Sequence, residues 1–184
     1  MRMSIIVAGM VGISLAFGAS ISHADSDSDS RAESLANELA LVKAENEHLR
    51  TLIPSQSHAM MDVSYHFTNL WFAGQHDNWP LAQFYFNEAR NHIKWAIRLV
   101  PVRKTKNGEI KLQEIFEPIE KTLFAELQKQ ITAKNRKAFA NAYREALAGC
   151  NGCHSAADKP YLHVVVPNQP ENHIVDFKPL DKAQ

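Results

Sequence analysis

Cysteine is nearly absent from this chain, which contains two in 184 residues. A framework of disulfide bonds is therefore excluded. Long apolar runs are also missing: the only extended one, residues 5–17, is short for a bilayer. Charge of one sign is not in excess, since 20 basic residues balance 20 acidic ones. That balance argues against nucleic acid or an anionic membrane surface as a partner.

Strand patterns and catalytic constellations are scarce as well. The one strand-like run, residues 161–167, has no partner in the sequence, and helical periodicity dominates elsewhere. We find no Ser-His-Asp order, no phosphate-binding loop and no plausible pair of catalytic carboxylates. The sequence therefore does not predict an enzyme.

The first 24 residues have the pattern of a secretory signal peptide. Arg2 precedes the apolar run, and Ser22 and Ala24 are small residues at the positions that signal peptidase reads. We expect cleavage after Ala24, export to the periplasm and no stable membrane span afterwards. The alternative is a retained membrane anchor, which the short apolar run disfavours.

Residues 25–54 are predicted to form a polar spacer followed by a short heptad helix. The spacer alternates aspartate and serine over residues 25–30. Asn46 stands among apolar residues at the a positions, a device that fixes the register of parallel two-stranded coiled coils. The pattern predicts a homodimer through residues 35–53; the alternative is a helix folded back onto its own domain. The heptad residues are Leu35, Leu39, Val42, Asn46, Leu49 and Ile53.

Residues 55–160 are predicted to form an all-α domain, an antiparallel four-helix bundle. Capping residues, proline and glycine delimit four amphipathic segments. The connection at 101–111 is expected to be a polar, basic loop. Residues 161–184 are expected to form an extended C-terminal tail over the bundle, loosely held from residue 168. The predicted helices are 57–73, 80–100, 117–133 and 135 onward, through both cysteines.

Spacing within the helices predicts which side chains face the core. Because the two cysteines continue the apolar seam of the fourth helix, the group they hold is expected to lie inside the bundle. The predicted inward residues are Leu81, Phe84, Ile93, Ile97 and Val100 in the second helix, and Phe139, Tyr143, Ala146, Cys150 and Cys153 in the fourth.

The two cysteines belong to the run Cys150-Asn151-Gly152-Cys153-His154, the attachment pattern for one covalent haem c. Each thiol adds to a vinyl group of the porphyrin, and the imidazole that follows binds the iron. On a helix these three side chains share a face. Three alternatives are weaker: a thioredoxin-like pair needs a βαβ setting, a zinc site needs a fourth ligand nearby, and a disulfide over so short a loop adds little stability.

With this motif late in the last of four helices, the chain resembles the class II c-type cytochromes, bundles of the cytochrome c-prime type. The resemblance covers about residues 57–178 and is closer to a group of small proteobacterial cytochromes of this type. The heptad helix and the long tail depart from the family pattern. The segments that carry the resemblance are 70–74 (LWFAG), 78–82 (NWPLA), 150–154 (CNGCH) and 165–167 (VVP).

The side of the iron opposite His154 decides the function. The resemblance implies that the first bundle helix covers this side, leaving the iron open or supplying a methionine. Met60 lies on the apolar seam of that helix and is our first choice of distal ligand, with Met61 second; core packing is the alternative role for both. The histidines that are weaker candidates are His58, His66 and His163, of which His66 is expected to be a surface group or one that supports an iron ligand.

Methionine opposite histidine raises the reduction potential of haem iron. The sequence therefore favours a mono-haem cytochrome that transfers single electrons between periplasmic redox proteins. The alternative is an open iron that binds nitric oxide or carbon monoxide. A peroxidase needs a distal histidine and an arginine, and the first bundle helix contains no arginine.

Overall fold

The computed structural model describes residues 19–180, with side chains from residue 27 onward. The predicted signal peptide lies outside the described residues except for the helical backbone of 19–24. Most described residues are helical, which confirms the all-α prediction in this coarse form. Among them, no helix has the length and hydropathy to cross a membrane. The chain divides into two compact units between Ile53 and Pro54.

The first unit contains one described helix, α1, Ala19–Leu52. The aspartate and serine residues of 25–30 belong to this helix, where the Ser30 hydroxyl donates to the carbonyl of Asp27 over 3.0 Å. The apolar heptad side chains are all at least half exposed. Helix α1 therefore carries an apolar stripe that is open to solvent.

The second unit begins with two helices, α2, Gln56–Gln75, and α3, Trp79–Leu99, which pack along each other. Both start within one residue of the predicted positions, because capping residues define them. The Ser55 hydroxyl accepts the N–H of His58 at 3.4 Å, and the Asn78 amide oxygen accepts that of Leu81 at 3.3 Å.

Residues 101–111, predicted to be a loop, contain a two-stranded antiparallel sheet instead. Strand β1, Val102–Thr105, pairs with strand β2, Gly108–Lys111, and Thr105 lies opposite Gly108. Gly108 adopts a φ of 115°, which a side chain would disfavour. The turn was predictable from Asn107-Gly108, whereas the basic flanks lack the apolar alternation that indicates strands.

The third helical segment is continuous but irregular. It consists of α4, Leu112–Ile119, a π-helical turn, Glu120–Phe124, and α5, Ala125–Thr132. It starts five residues before the predicted Glu117. Pro118 within α4 cannot donate a backbone hydrogen bond, and the wider π turn follows directly after it.

Helix α6, Arg136–Ala156, follows the N-cap residue Asn135 as predicted. Its inner face meets α2 in an aromatic cluster: the rings of Phe67 and Tyr143 stack with 4.7 Å between their centroids. The Tyr143 hydroxyl donates to the carbonyl of Phe67 at 2.8 Å. Helix contacts join α2 to α3, α3 to α5, α5 to α6 and α6 to α2, so the core lies between these helices.

The buried face of α3 differs in part from the predicted one. Ile93 and Ile97 are buried as expected, but Phe84 is 52% exposed. Alanine residues determine which face of α3 is buried, because a small side chain every seven residues lets a neighbouring helix approach. A prediction from hydrophobicity alone places phenylalanine in the core before alanine and so selects the wrong face of α3. The alanines of this face are Ala82, Ala89 and Ala96, each at most 2% exposed.

The described residues after α6, 157–180, form turns and extended backbone and belong to the second unit. The expectation that the tail is loosely held from residue 168 is wrong for the described part. The fully buried Asn69 amide oxygen accepts the N–H groups of Glu171 and Asn172, each at 3.2 Å. Phe177 is buried, with its ring centroid 6.0 Å from that of Phe72.

Candidate functional site

The CNGCH motif occupies the last two turns of α6. The seam that leads to it is buried through Phe139, Tyr143 and Ala146. Cys150 and Cys153 are half-buried and are free thiols. Because successive helical residues turn by about 100°, positions i, i+3 and i+4 share one side, and His154 joins the two thiols there.

A backbone carbonyl of the tail orients His154. The imidazole Nδ1 lies 2.6 Å from the carbonyl oxygen of Leu162. A carbonyl can only accept, so Nδ1 carries the proton and Nε2 keeps its lone pair. This is the arrangement by which proteins fix the ring of a metal-binding histidine.

Asn151, inside the motif, secures the same tail segment. Its side-chain amide donates to the carbonyl of Val164 at 3.0 Å, and its amide oxygen accepts the N–H of Val164 at 2.8 Å. These two bonds imitate a backbone pairing. The tail therefore holds its position over the motif through side chains of the motif itself.

Burial controls the chemistry of the thiols. It raises the pKa of Cys150 to about 12, with a smaller contribution from the neighbouring Cys153. Burial also raises the pKa of Cys153. Both sulfurs remain protonated at neutral pH, whereas redox-active CxxC pairs have lowered thiol pKa values.

The residues around the motif fit a covalent porphyrin. Two thiols and one imidazole with a free Nε2 form the donor set of haem c. The tail segment bonded to them leaves apolar side chains open, since Tyr161 is 71% exposed and Val165 is 65% exposed. Gly152 leaves open space, because a Cβ at this position would meet no atom within 4 Å.

The two candidate methionines lie in different surroundings. Met60 is partly buried and packs against the core, whereas Met61 is 66% exposed. Met61 lines a surface pocket with Asp62, Ser64, Tyr65 and Glu171.

Helix α2 runs antiparallel to α6, since Gly74 lies against Phe139 and the carbonyl of Phe67 is bonded by Tyr143. The N-terminal half of α2, which contains Met60, therefore lies towards the same end of this helix pair as the C-terminal half of α6, which contains the motif.

The remaining histidine candidates lie in other settings. His58 is exposed and its Nδ1 contacts the Ser55 hydroxyl at 2.9 Å, while His163 is exposed in the tail. His66 is half-buried next to His92 and Glu88, so the expectation of a surface or supporting group missed this cluster. The sequence did contain a signal for this cluster, because each of two consecutive helices has a carboxylate four residues before a histidine: Asp62 and His66 on α2, and Glu88 and His92 on α3.

Comparison of this chain with models of known protein families, with curated proteins and with solved structures finds no match.

Proposed function

We propose that this protein is an exported mono-haem c-type cytochrome that transfers single electrons between periplasmic redox partners. The observation that carries the proposal is the CNGCH motif on α6 with the His154 ring oriented by the Leu162 carbonyl. Cys150 and Cys153 would hold the porphyrin through thioether bonds, and His154 would bind the iron through Nε2. Haem held by these three residues would supply one-electron redox chemistry at its iron.

We further propose that the second unit is an antiparallel four-helix bundle with the haem on its last helix. The four helical parts are α2, α3, the segment from α4 to α5, and α6. The closed cycle of contacts among these helices supports this description.

The tail has a defined role in this proposal. The Nδ1 proton of His154, held by the Leu162 carbonyl, keeps the ring from rotating and makes Nε2 a stronger electron donor. Asn151 supports the same segment through Val164. A stronger proximal donor favours ferric iron, and a methionine on the opposite side favours ferrous iron.

Met60 is the residue that we assign to the distal side. Its partial burial against the core supports this choice over the exposed Met61. As a ligand, Met60 would close the iron to diatomic gases, which suits electron transfer. If Met60 only packs against the core, the iron site would stay open and would bind nitric oxide or carbon monoxide.

The optical spectrum of the full chain, produced with a haem-maturation system, tests the proposal. We expect covalent haem and a low-spin spectrum with a sulfur-to-iron band in the near infrared. Met60→Ala should abolish that band, and the matched control Met61→Ala should retain it. A high-spin spectrum that shifts with carbon monoxide would contradict electron transfer and support the gas-binding alternative. Absence of covalent haem would refute both proposed functions.

We also propose that helix α1 binds a second copy of the chain. The exposed stripe of α1 and Asn46 within it support a parallel two-stranded coiled coil through residues 35–53. In that register Glu38 and Glu45 of one chain face Lys43 and Arg50 of the other.

A further inference from the structure

A second cluster of potential ligands lies between α2 and α3, outside the CNGCH motif. His66, Glu88 and His92 each offer one ligand atom, and these atoms all lie within 4.8 Å of one another. The imidazole rings of His66 and His92 face each other with 5.1 Å between centroids. From these contacts we propose that this cluster is a binding site for a divalent transition-metal ion of the zinc class.

The backbone accounts for the convergence. Asp62 and His66 are four residues apart on α2, and Glu88 and His92 are four residues apart on α3. Residues at this spacing share a helix face. Because the two helices pack along each other, the two carboxylate–histidine pairs come together between them.

An unsatisfied ring nitrogen points to a missing partner. The Nδ1 atom of His66 is buried and has no hydrogen-bond partner, whereas Nδ1 of His92 faces the Asp62 carboxylate. Buried polar atoms are nearly always satisfied, and a metal ion satisfies an imidazole nitrogen directly.

Asp62 is the supporting residue of the site. Its Oδ2 lies 3.4 Å from Nδ1 of His92, and Glu88 Oε2 lies 3.9 Å from Nε2 of the same ring. A carboxylate behind a metal-binding imidazole orients the ring and increases its basicity. We therefore infer that Asp62 orients the His92 ring, and that His66, His92 and Glu88 are the metal ligands.

The geometry and donor types select the metal. Tetrahedral zinc holds its ligand atoms about 3.4 Å apart, so a small side-chain rotation closes this cluster around an ion. Two imidazoles with one carboxylate suit zinc, copper or nickel, whereas calcium and magnesium prefer oxygen ligands. Access is open, because Asp62 and His92 each line a surface pocket.

The test is a calorimetric titration of the full chain with Zn²⁺, after dialysis against a chelator has removed bound metal. We expect one Zn²⁺ per chain at this cluster and no binding of Mg²⁺. His92→Ala should weaken zinc binding about 100-fold, and Asp62→Asn about tenfold. The matched control His173→Ala, an exposed histidine in the tail, should bind zinc as the parent does.

Two further measurements separate this site from the CNGCH motif and from folding defects. The variant Cys150→Ser/Cys153→Ser should keep the zinc site, because the inference does not depend on haem attachment. Zinc-edge X-ray absorption should show two imidazole ligands, and Glu88→Gln should weaken binding while circular dichroism stays unchanged. Zinc affinity that is equal in the parent and in correctly folded His92→Ala would overturn the proposal.

Discussion

At the scale of single residues, the interior of the second unit depends on one hydrogen bond and one close contact. The Tyr143 hydroxyl, among the most buried groups, reaches the carbonyl of Phe67 on another helix. Gly74 leaves room for the ring of Phe139, which a Cβ would overlap. Both features join α2 to α6 and so support the face from which the CNGCH motif continues.

Tyr143→Phe is expected to lower the free energy of unfolding by about 1 kcal/mol, because the interhelical hydrogen bond is lost while the ring remains. Urea denaturation followed by circular dichroism measures this change. Tyr161→Phe serves as the control. Because Tyr161 is 71% exposed, loss of its hydroxyl should leave the free energy of unfolding unchanged. Equal effects of the two substitutions would contradict a specific role for Tyr143.

Gly74→Ala is expected to destabilise the protein by roughly 1–3 kcal/mol, because the new methyl group displaces the fully buried Phe139 ring. Thermal unfolding reports the loss as a lower Tm. The comparison is Gly152→Ala, where a Cβ meets open space within a helix and should be neutral or slightly stabilising. If Gly74→Ala were as stable as Gly152→Ala, the close packing of α2 against α6 would be wrong.

At the scale of elements, the tail is the part whose attachment matters most for the motif. It bonds to Asn69 on α2, to Asn78 before α3 and to Asn151 and His154 on α6. Asparagine can donate and accept at once, so it satisfies an irregular backbone that has no strand partner. The tail thereby links the surface of the helices to the orientation of the His154 ring.

Asn69→Ala is expected to lower stability by about 1–3 kcal/mol, because the N–H groups of Glu171 and Asn172 lose their buried acceptor. The tail should then be cut sooner by protease within residues 165–178, as mass spectrometry of timed digests will show. Asn168→Ala, at an exposed tail position, is the matched control and should digest at the parental rate. Unchanged digestion of the Asn69 variant would show that Asn69 does not hold the tail in place.

At the scale of the whole molecule, α1 raises the question of assembly. Its heptad side chains are exposed in the single chain, and an isolated helix in water gains little from an apolar stripe. Pairing with a second copy buries that stripe and lets Asn46 meet its counterpart. The second unit has its own core and does not need the pairing to fold.

Sedimentation of the full chain is expected to give a dimer, and Leu39→Lys/Leu49→Lys should convert it to a monomer by placing charge at the a and d positions. Leu41→Lys is the control, since this 71% exposed residue occupies the outer position c. The absorption spectrum should stay the same in all three proteins. A parent that sediments as a monomer, or a double variant that stays dimeric, would exclude this coiled coil.

Local features of the sequence predicted much of this fold and the centre of the candidate site. The starts of α2, α3 and α6 follow from capping residues that act within four positions, and the CNGCH pattern depends on spacing within a single helix. The π turn after Pro118 and the early start of α4 were missed, because helix irregularities depend on packing. The β1–β2 pairing was missed because its residues lack the regular apolar alternation that indicates strands.

The sequence by itself determined the helical class, the motif with Cys150, Cys153 and His154, and the heptad pattern of α1, since each depends on short-range spacing. Only the tertiary structure decided which nitrogen of His154 is free, which face of α3 is buried, and that His66, Glu88 and His92 converge. These outcomes depend on the rotation and height of one helix against another and on contacts between residues far apart in the chain. No local pattern encodes such contacts, because they result from how all the side chains of the core fill a common volume.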